Sequence, residues 1–231
     1  INNMKHINLQ GVSMSSMKFP YYDLADEYYM YSFKAYELYK KENSSYKYYL
    51  PLLDNAEVSN NEKLVVVIFC QPEAYEGKYL RLIDELSKMI ENDYIDCELI
   101  IKPHYRQKKE VFIKYEEKYP FIKISNSDVL ASALIKEASL VISITSSVLF
   151  ESVMNGKFAI VANINNEEDR IIRLNDVCFE SVNIEANTVQ DIHNIIKNFR
   201  FYEKVYIERY NKFISSFPEG INSFKDVFKY E

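Results

Sequence analysis

The chain has 231 residues, 48% hydrophobic and 27% charged, which is enough apolar mass for the core of one or at most two domains and excludes a disordered chain. A net charge of -6 and a pI near 5.3 exclude a global positive field that would draw it to nucleic acid or anionic lipid, so a basic site has to be local. Three well separated cysteines in apolar contexts (Cys70, Cys97, Cys178) and no apolar run near the roughly 20 residues of a membrane helix argue against a disulfide framework, a zinc centre or a membrane span, and for reduced thiols in the cytoplasm.

The first part of the chain lacks clean periodicity. Ile7 to Val12 (INLQGV) reads as a short strand ending in a glycine turn. Asp23 to Lys41 carries Leu24, Tyr28, Tyr31, Ala35 and Leu38 at three- and four-residue spacing, the pattern of an amphipathic helix or of a strand followed by a helix. Pro51 and the polar run Asn55 to Asn61 then form a break. The expected organisation is a partial N-terminal segment with its linker over residues 1–60, followed by a domain over 61–231. The chain opens on Ile1 rather than Met, and a preceding portion is expected.

From Lys63 onward strands and helices alternate. Leu64 to Cys70 (LVVVIFC) is a buried strand, and Gly77 to Glu91 a helix with Leu80, Ile83, Leu86 and Ile90 inward. Cys97 to Ile101 is a strand, Lys108 to Tyr119 a helix, Phe121 to Ile124 a strand and Val129 to Glu137 a helix. After the next strand-helix-strand unit come Glu167 to Leu174, Cys178 to Ser181 and a helical tail from Val189 through Ile214. Such alternation predicts an α/β fold, a Rossmann-like, doubly wound parallel sheet. The 20 tyrosines and 4 glycines fit coding bias and half-buried packing better than a base-stacking platform.

Two stretches carry chemistry. In SLVISITSSVLFESVMNGKFAIVA (Ser139 to Ala162), Leu140 to Ile144 is a β-branched strand and Thr145, Ser146 and Ser147 interrupt it. A helix follows with Val148, Phe150, Val153 and Met154 inward and Asn155-Gly156 as its stop. This unit turns backbone N–H groups and hydroxyls toward the carboxyl edge of the sheet, where phosphate binds. Glu151, four residues after Ser147, can accept ribose hydroxyls while the turn holds phosphate. The second stretch is Lys102-Pro103-His104-Tyr105-Arg106, where proline closes a strand and three cationic or cationisable groups, Lys102, His104 and Arg106, stand at the same edge. Gln71 and Glu73, after the first strand, are candidates for lining a base pocket. His6 and His193 read as ordinary structural or exposed histidines.

These motifs, IIKPHYR and SITSSVLFESVMNGKF, resemble the C-terminal nucleotide-binding half of bacterial GT-B glycosyltransferases of surface polysaccharide synthesis. The closest groups are capsule and polysialic-acid transferases and CDP-glycerol glycerophosphotransferases, which carry Lys-Pro-His-Pro-like and Ser-Ser-x-x-x-Glu…Gly-Lys-Pro motifs. The resemblance spans about Lys63 to Ala162, and INLQGV is similar to the Gln-His-Gly stretch that closes the N-terminal half. Tyr105 and Phe158 stand where the family has proline, and no histidine lies between Gln10 and Gly11. These departures bear on catalysis more than on fold.

The resemblance implies that His104 contacts the donor phosphates and helps stabilise the leaving nucleotide, as the candidate catalytic residue. It gives Ser146 and Ser147 the same phosphates, with Lys102, Arg106 and Thr145 beside them, and Glu151 the ribose. It further implies a nucleotide-sugar or CDP-polyol donor, a polysaccharide or glycolipid acceptor, no nucleic acid and no cofactor. The absence of an Asp-x-Asp motif fits metal independence. Cytoplasmic location is expected, with peripheral association at the inner membrane face through a missing portion or a complex. Two alternatives remain open: a UDP-GlcNAc 2-epimerase-like enzyme, whose usual Ser-Gly-Gly turn is Thr145-Ser146-Ser147 here, and a non-catalytic nucleotide-binding or interaction domain.

Overall fold

The computed structural model describes residues 7–9, 27–30, 46–48, 58, 62–71, 75–144, 146–164 and 182–215. Three short strands, β1 (Ile7–Leu9), β2 (Glu27–Met30) and β3 (Tyr46–Tyr48), pair in parallel, in that order, as a sheet of their own. β1 falls within the expected INLQGV strand and β2 within the strand alternative for Asp23–Lys41. The rest of that stretch and, apart from Val58, the linker region from Pro51 to Asn61 lie outside the described residues, as do Glu167–Leu174 and Cys178–Ser181. β3 was not anticipated, because three residues are too short to display a period.

A six-stranded, all-parallel sheet organises the remainder: β4 (Leu64–Phe69), β5 (Cys97–Lys102), β6 (Ile122–Ile124), β7 (Leu140–Ser143), β8 (Ala159–Ala162) and β9 (Ile184–Ala186), in the order β6-β5-β4-β7-β8-β9. Every residue of β7 and β8 is buried, which is why these strands read as unbroken apolar runs rather than as alternation. The helices between them are α1 (Glu76–Asn92), α2 (Glu110–Lys118), α3 (Ala131–Glu137) and α4 (Val148–Met154), followed after β9 by α5 (Val189–Lys197) and α6 (Phe199–Ser215). This is the Rossmann-like, doubly wound arrangement. The expected tail helix is two helices broken at Asn198, whose side chain turns back to the Asn194 carbonyl at 3.0 Å.

Helix α1 buries Tyr79, Leu82, Ile83, Leu86 and Ile90, whereas Leu80 is only partly buried, so the inward face is turned slightly from the expected one. Its far end is tied to α5 through Asp93. The Asp93 carboxylate accepts from Lys197 Nζ at 2.8 Å and lies 3.2 Å from His193 Nε2. His193 is thus a buried structural residue. Helix α5 begins with a complete capping box: Thr188 Oγ1 accepts the Asp191 N–H at 3.0 Å, and Asp191 Oδ2 accepts the Thr188 N–H at 2.9 Å.

Phe158, the residue in the proline position of the Gly-Lys-Pro motif, is buried and stacks on Tyr206 at 5.0 Å and Phe199 at 6.1 Å between ring centroids. The departure from proline is therefore a packing matter: the ring fastens α6 to the start of β8. Phe158→Ala should lower stability by about 3 kcal/mol, the range for emptying an aromatic core site. Phe158→Pro, which introduces the proline of the resembled motif, should be no better. Urea unfolding of both variants checks this, and a wild-type midpoint for either would detach α6 from the core.

Candidate functional site

β4 comes first in the large sheet and has β5 on one side and β7 on the other, so the chain winds away from it in both directions. At such a switch point the loops beyond the carboxyl ends of the strands diverge and leave a crevice. Phe69 lies opposite Lys102, and Ile68 opposite Ile142. Counted onward from that register, Gln71 and His104 stand at one level just past the strand ends. The ends of β5 and β7, on either side of β4, are about 10 Å apart at the usual strand spacing.

The loop after β5 is organised by its own side chains. Pro103 is buried at its start and His104 is partly exposed. The Arg106 N–H donates to His104 Nδ1 at 3.3 Å, which assigns the ring proton to Nε2. The His104 N–H donates to Gln107 Oε1 at 3.0 Å, and Gln107 Nε2 donates to Glu76 Oε2 at 3.3 Å, linking this loop to the first turn of α1. Tyr105 is 70% exposed, with its ring centroid 4.3 Å from that of His104. Arg106 lies over the Tyr105 ring at 5.3 Å, and its Nε donates to Tyr105 Oη at 3.0 Å. Tyrosine in place of the proline of the resembled motif thus lies between the His104 ring and the Arg106 guanidinium. Burial, with the Arg106 charge second, holds the His104 pKa below the ordinary imidazole value, so the ring is neutral at neutral pH and offers an Nε2–H donor.

Lys102 does not join this group. Its side chain is buried, and Nζ donates to the carbonyls of Asn126 and Ser127, the latter at 3.2 Å. Lys109 Nζ reaches Asn126 Oδ1 at 2.8 Å and holds the same loop from outside. The carbonyls after β6 lack ladder partners, and the Lys102 ammonium at the end of the adjacent strand satisfies them.

Across β4, the hydroxyl turn leads into α4. Ser146 is partly exposed and Ser147 exposed, while Thr145 lies outside the described residues, as does Glu73. Ser147 occupies the N-cap position with helix-like dihedrals, and its side chain accepts no helix N–H. Ser146 Oγ is 3.4 Å from the Val148 N–H. The Ser147 hydroxyl is not spent on capping. Helix α4 buries Val148, Leu149, Ser152, Val153 and Met154 and leaves Phe150 only partly buried, so Leu149 takes the inward position expected of Phe150. The Asn155-Gly156 stop is as expected, with Gly156 in the left-handed region at φ 64°.

Glu151 is partly buried, and among the described residues no hydrogen bond or cation meets its carboxylate. Burial raises its pKa above the ordinary range. Gln71 is fixed by Tyr79, whose Oη lies 3.1 Å from Gln71 Oε1. The structure thus gathers Gln71, His104 and Arg106, Ser146 and Ser147, and Glu151 around one strand edge, and turns Lys102 away. Tyr79, Ser143, Gln107 and Glu76 were missed. Tyr79 read as one more aromatic on a helix, and a Gln three residues after a histidine carries no motif. Among the described residues, no cluster of three His, Cys, Asp or Glu side chains could hold a metal ion, and no helix is long and apolar enough to cross a membrane.

No protein-family model matches the sequence, and no curated protein does. The fold is similar to solved glycosyltransferase structures of the GT-B type. TarM aligns with TM-score 0.52 at 10% identity, over 98% of this chain and 49% of its own. The pneumococcal O-GlcNAc transferase GtfA, solved with UDP and GlcNAc, aligns with TM-score 0.52 at 9% identity, over 91% and 51%. A structure of accessory secretory protein 1, 2 and 3 from Streptococcus pneumoniae aligns with TM-score 0.55 at 11% identity, over 86% and 41%. The chain therefore spans about half the length of these structures.

An anion seated against His104 Nε2 favours the imidazolium, whose second proton goes on Nδ1 in place of the Arg106 N–H contact, and so raises the pKa from the depressed free value. Binding then takes up a proton between the free and bound pKa values. Inorganic pyrophosphate affinity should accordingly be highest below the free pKa and fall as pH rises through the bound one. Calorimetry in buffers of different ionisation enthalpy reads the uptake directly, and its disappearance in His104→Asn assigns it. Equal uptake in wild type and variant would place the proton elsewhere.

Proposed function

We propose that the chain is the donor-binding half of a glycosyltransferase, moving a sugar or polyol phosphate from a nucleotide-activated donor to a surface polysaccharide acceptor without a metal ion. The observation that carries this reading is the pairing, across one switch point, of a preorganised His104–Arg106 loop with a hydroxyl turn and a carboxylate that has no partner among the described residues. The GT-B-type fold supports it. That GtfA was solved with UDP supports a pyrimidine nucleotide here.

In this reading the backbone N–H groups and hydroxyls of Ser146 and Ser147 meet phosphate, and His104 Nε2–H with the Arg106 guanidinium neutralises the charge that develops on the departing nucleotide. Fixed donors that need no reorganisation supply most of such stabilisation. Glu151 accepts ribose hydroxyls, which replace the water that burial has removed. His104 serves as hydrogen-bond donor and charge stabiliser rather than as the base, since its Nδ1 is engaged and its Nε2 protonated. The base that activates the acceptor belongs to another part of the enzyme.

Titration with UDP, CDP and CMP should give measurable heat and a thermal shift. Folded protein showing neither at millimolar ligand would overturn the reading. Two variants divide the labour. Ser147→Ala should weaken nucleotide and inorganic pyrophosphate alike, whereas Glu151→Gln should weaken nucleotide by about tenfold, the order of losing one hydrogen bond to a charged group, and leave pyrophosphate equal or tighter. Glu151→Gln should also raise the Tm of the unliganded protein at neutral pH. A carboxyl whose folded pKa is raised opposes folding above that pKa, and the opposition is relieved as pH falls through it. The gain in Tm should therefore shrink in acid.

A further inference from the structure

At the carboxyl edge the sheet splits. Toward β5 the ladder of β4 runs on past its last paired residue, with the Cys70 N–H donating to the Lys102 carbonyl at 2.9 Å. Toward β7 it stops at Ile68 opposite Ile142. The groups this leaves are met by side chains. Ser143 Oγ donates to the Phe69 carbonyl at 2.8 Å, and the Ile144 N–H donates to Tyr79 Oη at 3.0 Å. Tyr79 comes from α1, is fully buried, and also lies 3.0 Å from Ser143 Oγ and 3.1 Å from Gln71 Oε1.

Proton bookkeeping defines what the phenol does. The Ser143 proton is committed to Phe69, so Ser143 Oγ and Gln71 Oε1 both look to the single Tyr79 proton, while the Tyr79 oxygen takes the Ile144 N–H. One hydroxyl thus touches two chain segments directly, the end of β7 and, through Gln71, the loop that follows β4, and reaches the end of β4 through Ser143. Without it the Ile144 N–H would be a buried donor lacking an acceptor, or would close back onto β4 and zip the crevice shut. Burial drives the phenol pKa far upward, so the proton stays on.

We propose that Tyr79 is a positioning residue, a wedge whose hydroxyl holds β4 and β7 apart and sets where Gln71 and the Ser146-Ser147 turn stand for the donor. Its role toward the donor rests on the donor-site reading above; the wedge itself does not. Tyr79→Phe retains the ring that fills the core and deletes the one oxygen. Hydrogen exchange of the segment 142–150 should then accelerate at least tenfold while that of 84–92 is unchanged, and the Kd for UDP or CDP, whichever the wild type binds, should rise at least tenfold. Ser87→Ala is the control. It removes a buried hydrogen bond on the same helix, Ser87 Oγ to the Ile83 carbonyl, away from this edge, and should lower Tm without moving the exchange of 142–150 or the Kd. Ser143→Ala, a smaller deletion in the same network, should reproduce the Tyr79→Phe pattern in weaker form and decides the matter if Tyr79→Phe does not fold. Unchanged exchange at 142–150, or a Tm loss with wild-type Kd as in Ser87→Ala, would make Tyr79 a core residue and nothing more. Accelerated exchange in a protein whose wild type binds no nucleotide would overturn the donor reading and keep the wedge.

Discussion

A parallel sheet is a continuous lattice of hydrogen bonds, and this one is interrupted at its carboxyl edge, between β4 and β7. The cost of opening a buried ladder is one orphaned donor or acceptor after another. Here the cost is met from a neighbouring helix and from the strand itself, through Tyr79 and Ser143. The geometry of the edge depends on that repair. The divergence of the strands decides how far the β5 loop stands from the hydroxyl turn. The Gln107 to Glu76 link then ties the β5 loop to the same helix that carries Tyr79, so α1 sets both walls.

The electrostatics of the edge are balanced rather than simply basic. A neutral imidazole and a guanidinium lie on one side. A desolvated carboxylate lies on the other. Phosphate alone satisfies only the first, and a polyol alone only the second. In the proposed reading, a ligand that joins phosphate to a hydroxylated ring satisfies both and keeps the carboxylate from the phosphate. The hydroxyl of Ser147, unspent on its own helix, adds a donor that need not be recruited from other work.

The sheet was legible because its strands are buried on both faces, so LVVVIF and LVIS announce themselves without any periodicity, and the Asn-Gly stop after α4 has a backbone reason that no tertiary contact overrides. The hydroxyl turn and the histidine at a strand end were legible for the same local reason. Tertiary demands decided the rest. Lys102 reads as a cation at the edge, yet the Asn126 and Ser127 carbonyls in the loop after β6 claim it. On α4 the packing turns Leu149 inward instead of Phe150, a shift of one position that two turns of helix cannot reveal in sequence. Tyr79 hides most completely, since a buried tyrosine differs from a buried phenylalanine only in where its oxygen ends, and that depends on two strands that are distant in the chain. Strand β9, with its IEA sequence, has only one of three residues buried and gives no apolar run to read.

The captivity of Lys102 reaches beyond geometry into kinetics. A lysine projecting from this edge would lend a charged ligand a long-range pull, and here that charge is spent inside the protein, under a loop. The chain as a whole carries a net charge of -6, so an anion approaching this edge is gathered by no global funnel of favourable potential and meets attraction only within about a Debye length of local cations such as Arg106 and Lys108. An anionic ligand of the proposed kind therefore meets a net repulsion at long range that added salt screens, so its association would quicken rather than slow as ionic strength rises.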